Sequence, residues 1–272
     1  MTQHTDIMGI LNITPDSFYE KSRVPDPVRA RDVAAQMVAD GAHWLDVGGE
    51  SSRPGAEPVG AEEEWRRVAP VLEALEGVGA RISIDTCRAE TARRALALGA
   101  SMVNDITGLT GDPDMPAVVA EARCDCVVMH MQGSPMTMQQ HPQYNDVVED
   151  IAAYFEERIE ALTKAGVREE QIWLDPGFGF GKTIDHNLML MRRLHAFKRF
   201  GRPLLAGTSN KATIGKVLNT PPGDRTEGTA ATVAVCIMNG VSCMRVHDVK
   251  AMARVARMTD AIVYGRQETH GG

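Results

Sequence analysis

Met244-Arg-Val-His247 sets Arg245 and His247 two residues apart in an apolar run, the spacing that turns both toward one side of an extended strand. Such a pair suits a polyphosphate: the guanidinium is a permanent charge and the imidazole a tunable proton donor. Gly9-Ile-Leu-Asn-Ile-Thr-Pro-Asp-Ser-Phe18 runs an apolar segment into Asn12 and then into an irregular loop ending near Pro27. The Asn12 carboxamide can meet a hard cation or a phosphate, and a long loop in a compact fold is usually a binding loop. Gly48-Gly-Glu-Ser-Ser-Arg-Pro-Gly55 puts Ser51, Ser52, Arg53 and Pro54 on a glycine-rich loop, where Arg53 suits a carboxylate or phosphate. Asp175-Pro-Gly-Phe-Gly-Phe-Gly-Lys-Thr183 closes on Gly181-Lys182-Thr183, but a phosphate loop needs a glycine where Pro176 stands, and no G-x-G-x-x-G register fits. What remains there is Asp175 at a strand end and a turn able to press Phe180 against a planar ligand.

Asp85 and Asp175 are open to three readings, as metal ligands, general acids or recognition groups. No H-E-x-x-H helix or histidine-rich cluster supports a transition metal, and no G-x-S-x-G elbow supports nucleophilic hydrolysis. Two carboxylates and an asparagine also suit a ring with an aminopyrimidinone edge, with ring donors meeting Asp85 and Asp175 and the mixed edge meeting Asn104.

The elements that must bring these residues together follow from hydrophobic periodicity. Short apolar runs at Ile7–Leu11, His43–Val47, Arg81–Asp85, Ser101–Asn104, Cys126–His130, Gln171–Asp175, Pro203–Ala206 and Ser242–His247 predict strands. Helical patterns lie between them, among them Val28–Asp40, Glu62–Leu75, Ala89–Leu98, Asn145–Ala165, Arg225–Asn239 and Asp248–Ile262. Strand starts recur roughly every 34 residues, the length of a βα unit. The reading is an α/β chain, a single-domain (β/α)8 TIM barrel over residues 1–272, with a doubly wound sheet as runner-up. A barrel demands chemistry where strands end, and Asn12, Asp46, Asp85, Asn104, Asp105, His130, Asp175, Arg245 and His247 fall at those positions, with Lys211 beyond the seventh strand.

The 272 residues carry a net charge of -7 without a basic tract, which excludes a nucleic-acid partner. The polar start and the shortness of the first apolar run predict no membrane association and a cytoplasmic location. Five scattered cysteines read as reduced thiols.

With these motifs in order from Gly9 to Asp248, including Ser83-Ile-Asp-Thr86, Asn104-Asp105, Met129-His-Met-Gln-Gly133 and Ser209 to Lys211, the chain resembles bacterial dihydropteroate synthases. The resemblance implies a barrel enzyme, usually a homodimer, condensing 6-hydroxymethyl-7,8-dihydropterin diphosphate with 4-aminobenzoate and releasing pyrophosphate with Mg2+. It implies Asp85, Asn104, Asp175 and Lys211 at the pterin, Asn12, Arg245 and His247 at the diphosphate and metal, and Ser52, Arg53, Pro54, Phe180 and Lys211 around aminobenzoate, with Asp85, Asp175 and Lys211 as catalytic residues. The sequence departs from the family pattern at Tyr19 to Arg23, at Ser52 and at Asn210, where arginine is usual. The departures at Tyr19 to Arg23 and at Asn210 motivate a rival reading, a catalytically weak pterin-binding paralogue acting as carrier or regulator. A corrinoid methyltransferase would not need the Arg-x-His pair. A Schiff-base aldolase would need a desolvated Lys211, which is expected instead in a polar loop.

Overall fold

A computed structural model describes residues 4–13, 26–51 and 59–265. All eight predicted strands form: β1 (Asp6–Asn12), β2 (Trp44–Gly48), β3 (Arg81–Asp85), β4 (Met102–Asp105), β5 (Asp125–Met129), β6 (Ile172–Asp175), β7 (Leu205–Ala206) and β8 (Cys243–Val246). They pair in parallel in the order β6-β5-β4-β3-β2-β1-β8-β7. Consecutive strands are neighbours and the first pairs with the last, which rules out the doubly wound runner-up. The remaining gap is narrowed by one parallel bridge, Leu174 to Leu204, with the Leu174 N–H donating to the Pro203 carbonyl at 3.0 Å. The barrel is thus nearly closed, with β6 and β7 as its thinnest seam.

Around it lie α1 (Pro27–Ala39), α2 (Ala61–Ala74), α3 (Ala89–Ala97), α4 (Met115–Ala122), α5 (Val147–Lys164), α6 (Ile184–Arg193), α7 (Ala212–Leu218), α8 (Thr226–Met238) and α9 (Val249–Tyr264). Local chemistry starts several of them: the side chains of Asp26, Asp146, Thr183 and Asp248 each accept backbone N–H groups at a helix N-terminus. The helices α4, α6 and α7 were not singled out by periodicity, being only 8, 10 and 7 residues long.

Side-chain alternation along the strands sorts the barrel interior into three levels. At the floor, where the strands begin, Asp6 accepts from the Trp44 indole N–H at 3.0 Å and pairs with Arg81, whose guanidinium stacks on Trp44. The middle is apolar, a cluster of Met8, Trp44, Met102, Val127, Leu205 and Cys243 with Trp173 against it. Two positions further along the same strands come Asp46 after Trp44, Asn104 after Met102, Asp175 after Trp173 and Arg245 after Cys243. A separate, larger apolar layer, including Leu45, Val47, Ile84 and Val103, seals the strands against the helices. The polar residues of the mouth therefore stand on a packed plug, with no solvent channel needed beneath them.

Candidate active site

Arg245 ties three strands together at the mouth. Its Nε donates to Asp46 Oδ2 at 2.5 Å and its Nη2 to Asp85 Oδ2 at 2.8 Å. Asn104 Nδ2 donates to the same Asp46 oxygen at 3.1 Å. Asp46 is fully buried, and its other carboxylate oxygen and the Ser83 hydroxyl have no hydrogen-bond partner among the described residues. Buried polar atoms are normally satisfied, so these two are open to a partner that the described residues do not supply. Burial and the neighbouring Asp46 push the Asp85 carboxyl up to about 7, against the pull of Arg245.

Asp175 lies across the seam, buried at the end of β6, with one oxygen accepting the Gly177 N–H at 2.7 Å. Burial raises its carboxyl to about 6, opposed by that N–H and by Lys211 and Lys182. Gly177 makes the turn possible: its φ is +67°, and a Cβ there would sit 2.0 Å from the His130 carbonyl oxygen.

Lys211 corrects an expectation. It caps α7 from the polar side of a loop, yet its side chain turns inward, placing Nζ 4.4 Å from the centre of the Phe180 ring. Burial and Arg245 lower its ammonium to about 8, with Asp175 and Asp85 opposing. The loop position was read correctly and the solvation was not, because a four-carbon stem carries the charge away from its backbone. Phe180 is itself 8% exposed and packs with Met129 and Met138, so its ring is a wall, covered on one side by the lysine.

His247 lies just past β8, which ends at Val246, and is exposed; its Nδ1 is 3.0 Å from the Ser209 hydroxyl. Asn12 ends β1 in register with Gly48, which pairs in turn with Asp85. The half-buried Asn12 carboxamide hydrogen-bonds no other described residue. Ser52, Arg53 and Pro54 lie outside the described residues, as do Tyr19 to Arg23.

Two buried groups in this region received no role from sequence. Asp46 was visible only as one polar strand end among several. Lys182, 3% exposed, donates to the Phe180 carbonyl at 2.9 Å and lies 3.0 Å from His130 Nδ1, so it braces the β6–α6 turn and does not reach outward as a phosphate-loop lysine would. Burial and Lys211 pull its ammonium down to about 7, and burial and Lys182 hold His130 near 3. A single cation within the glycine-punctuated run 175–183 was the available signal. The described residues group three metal-competent side chains only at His4, Asp6 and His43, at the floor. There the His43 Nδ1 already accepts the Ile7 N–H at 3.0 Å.

An array of carboxylates, an amide and two cations at the barrel mouth fits a planar heterocycle with an anionic tail. A profile described as "Pterin binding enzyme" matches residues 8–247. The dihydropteroate synthase of Synechocystis sp. is 45% identical over 96% of this chain and 91% of its own length. The chain belongs to the dihydropteroate synthase family of pterin-binding enzymes. It is an enzyme, a transferase of folate biosynthesis. The dihydropteroate synthase of Escherichia coli K12 is 42% identical over 97% of this chain and 94% of its own. Among solved structures, the Clostridium difficile dihydropteroate synthase with pteroic acid superposes with a TM-score of 0.91 at 44% identity, covering 97% of this chain and 98% of that one. The Xanthomonas albilineans dihydropteroate synthase with 4-aminobenzoic acid gives 0.88 at 37% identity, covering 95% and 93%. No described helix of this synthase is long and apolar enough to cross a membrane.

Proposed function

We propose that the chain condenses 6-hydroxymethyl-7,8-dihydropterin diphosphate with 4-aminobenzoate to give 7,8-dihydropteroate and pyrophosphate. The observation that carries this reading is the Arg245 bridge between Asp46 and Asp85 beside Asn104, facing buried Asp175. Asp85 and Asp175 offer acceptors to the amino and ring N–H groups of the pterin, Asn104 offers a donor and an acceptor, and Lys211 a donor for the carbonyl edge. Pterin donors arriving at Asp85 replace the Arg245 Nη2 bond, and that frees half of the guanidinium to meet the diphosphate together with His247.

The methylene carbon–oxygen bond breaks with its electron pair leaving on pyrophosphate, and the cation that forms is conjugated with the pterin ring. Asp175, already ionised above about pH 6, stabilises that charge more than it stabilises the neutral ring. The arylamine lone pair then makes the new carbon–nitrogen bond, and the proton of the resulting ammonium passes to solvent. Ser52, Arg53 and Pro54 hold the aminobenzoate, with Phe180 and the Lys211 stem as the wall beside it. Mg2+ supplies charge neutralisation of the leaving pyrophosphate. Asn12 would hold it: its carboxamide oxygen is half-buried at a strand end and bonded to no other described residue, and Mg2+ commonly takes only one or two protein oxygens. In a homodimer, which the family resemblance supports, each protomer would keep its own complete mouth.

The test is pyrophosphate release from purified protein given the pterin diphosphate and Mg2+, with and without 4-aminobenzoate. Release that depends on aminobenzoate, matched by dihydropteroate formed, is the expected result. Tight pterin binding without release overturns the reading.

A further inference from the structure

Arg88 follows the β3 exit by three residues and reaches a place where no substrate contact is assigned. Its Nη2 lies 2.8 Å from Glu50 Oε2 and also donates to the Val59 carbonyl. Its Nη1 lies 3.2 Å from Glu64 Oε2. Glu50 and Val59 stand on either side of residues 52–58, one after β2 and one before α2. The same Glu50 oxygen accepts the Val59 N–H at 3.3 Å, so the two stems are also joined directly.

The far end of this chain of contacts is rigid. Glu64 on α2 is 1% exposed, and its carboxylate accepts the Thr86 hydroxyl at 3.0 Å and the Thr91 hydroxyl at 2.7 Å. Thr86 is the residue after Asp85, its N–H bonds the Asn104 carbonyl at 3.1 Å, and its hydroxyl accepts the Arg88 N–H at 3.2 Å. A second tie runs from Arg67 Nη1 to the Gly49 carbonyl at 2.9 Å. The Glu64 carboxylate is a fixed anchor because two threonine hydroxyls already hold it, and it faces the Arg88 guanidinium as a close ion pair on one side while Glu50 and Val59 engage the other nitrogen.

We infer that Arg88 is a positioning residue that fastens both ends of the 52–58 segment to the β3–α3 turn beside Asp85. The inference rests on the reading of Ser52, Arg53 and Pro54 as aminobenzoate residues. Arg88 touches no substrate; it sets where that segment starts and ends relative to the pterin strand. Loss of the clamp should therefore weaken capture of aminobenzoate while leaving pterin binding and the chemistry at saturation unchanged.

The experiment uses two variants. Glu50→Gln removes the charge on the near side of the clamp at a half-buried residue, and Arg88→Met combined with Glu64→Gln removes the arginine without stranding a buried carboxylate. Steady-state kinetics with each substrate varied, and hydrogen exchange at the Val59 and Gly60 amides, are read for both, with Arg53→Ala as reference. The expected result is a KM for aminobenzoate raised at least five-fold, a KM for pterin diphosphate and a kcat within two-fold of the parent, and faster exchange at Val59 and Gly60. An unchanged aminobenzoate KM with unchanged exchange, or equal losses for both substrates, overturns the clamp. Arg53→Ala separates the two readings. If it leaves aminobenzoate KM unchanged, the pocket assignment falls and exchange alone decides the clamp.

Discussion

Lys211, whose backbone follows β7, reaches across the β6–β7 seam and sets its ammonium over the ring of Phe180, 4.4 Å from its centre, beside the turn that follows Asp175. A cation in this position is held by an aromatic face and by carboxylates at longer range while it loses hydration, which is why its affinity for a proton falls.

That cation costs stability. Its folded pKa, about 8, lies below the ordinary 10.5, so the penalty is fully present below pH 8 and disappears as pH rises past 10.5. Lys211→Met should raise stability by on the order of 1 kcal/mol at pH 7, the loss of its attraction to Asp175 offsetting part of the gain, while lowering kcat/KM at least a hundred-fold. Urea unfolding and steady-state kinetics on the same preparation check both halves.

Asp175→Asn should reduce turnover at least a hundred-fold with a Tm within a few degrees of the parent, because a carboxamide oxygen can still accept the Gly177 N–H. In the parent, kcat/KM should rise through about pH 6 as Asp175 ionises and fall through about pH 8 as Lys211 loses its proton. A profile whose acid limb is unchanged in a variant lacking the Asp175 carboxylate would assign that limb to another group.

Arg245→Met removes the guanidinium that bonds both Asp46 and Asp85, and leaves only the more distant Lys211 to oppose the Asp85 charge. The expected loss is about 3–5 kcal/mol at pH 7.5. Carboxyls held above their ordinary pKa destabilise above the folded value and are relieved as pH falls toward the unfolded one, so the deficit should shrink at pH 5.5. Denaturant titrations of parent and variant at the two pH values measure the difference.

Asn210 occupies the left-handed region, φ +58°, and its carbonyl accepts from Arg225 Nη1 at 2.8 Å. Asparagine tolerates this conformation better than arginine does. Asn210→Arg should therefore lower stability by about 1 kcal/mol while returning a cation near the aminobenzoate carboxylate, tightening its KM several-fold. Calorimetry and substrate titration report the two effects separately.

The barrel was legible because parallel strands buried on both faces leave short apolar runs that punctuate a chain plainly, and because strand alternation alone sends Asp46, Asn104, Asp175 and Arg245 to the same end. Arg81–Asp85 was placed to the residue. Length limited the rest: a seven-residue helix such as α7 spans fewer than two turns, too short a repeat to stand out by periodicity. The pairing of Arg245 with Asp46 and Asp85 spans up to 199 residues of sequence, and no local pattern encodes which of several mouth carboxylates a guanidinium will choose. Lys211 and Lys182 were misjudged or passed over for a related reason, since burial of a long side chain is decided by what folds over it.

The single bridge between β6 and β7 has a thermal consequence. Asp175 sits on one bank of that seam, with Lys211 and Arg245 on the other. A bound pterin touching both banks acts as a stitch across the weakest join of the cylinder. Ligand should then slow amide exchange at Leu174 and Leu205 more than at β2 or β3, whose ladders are already complete.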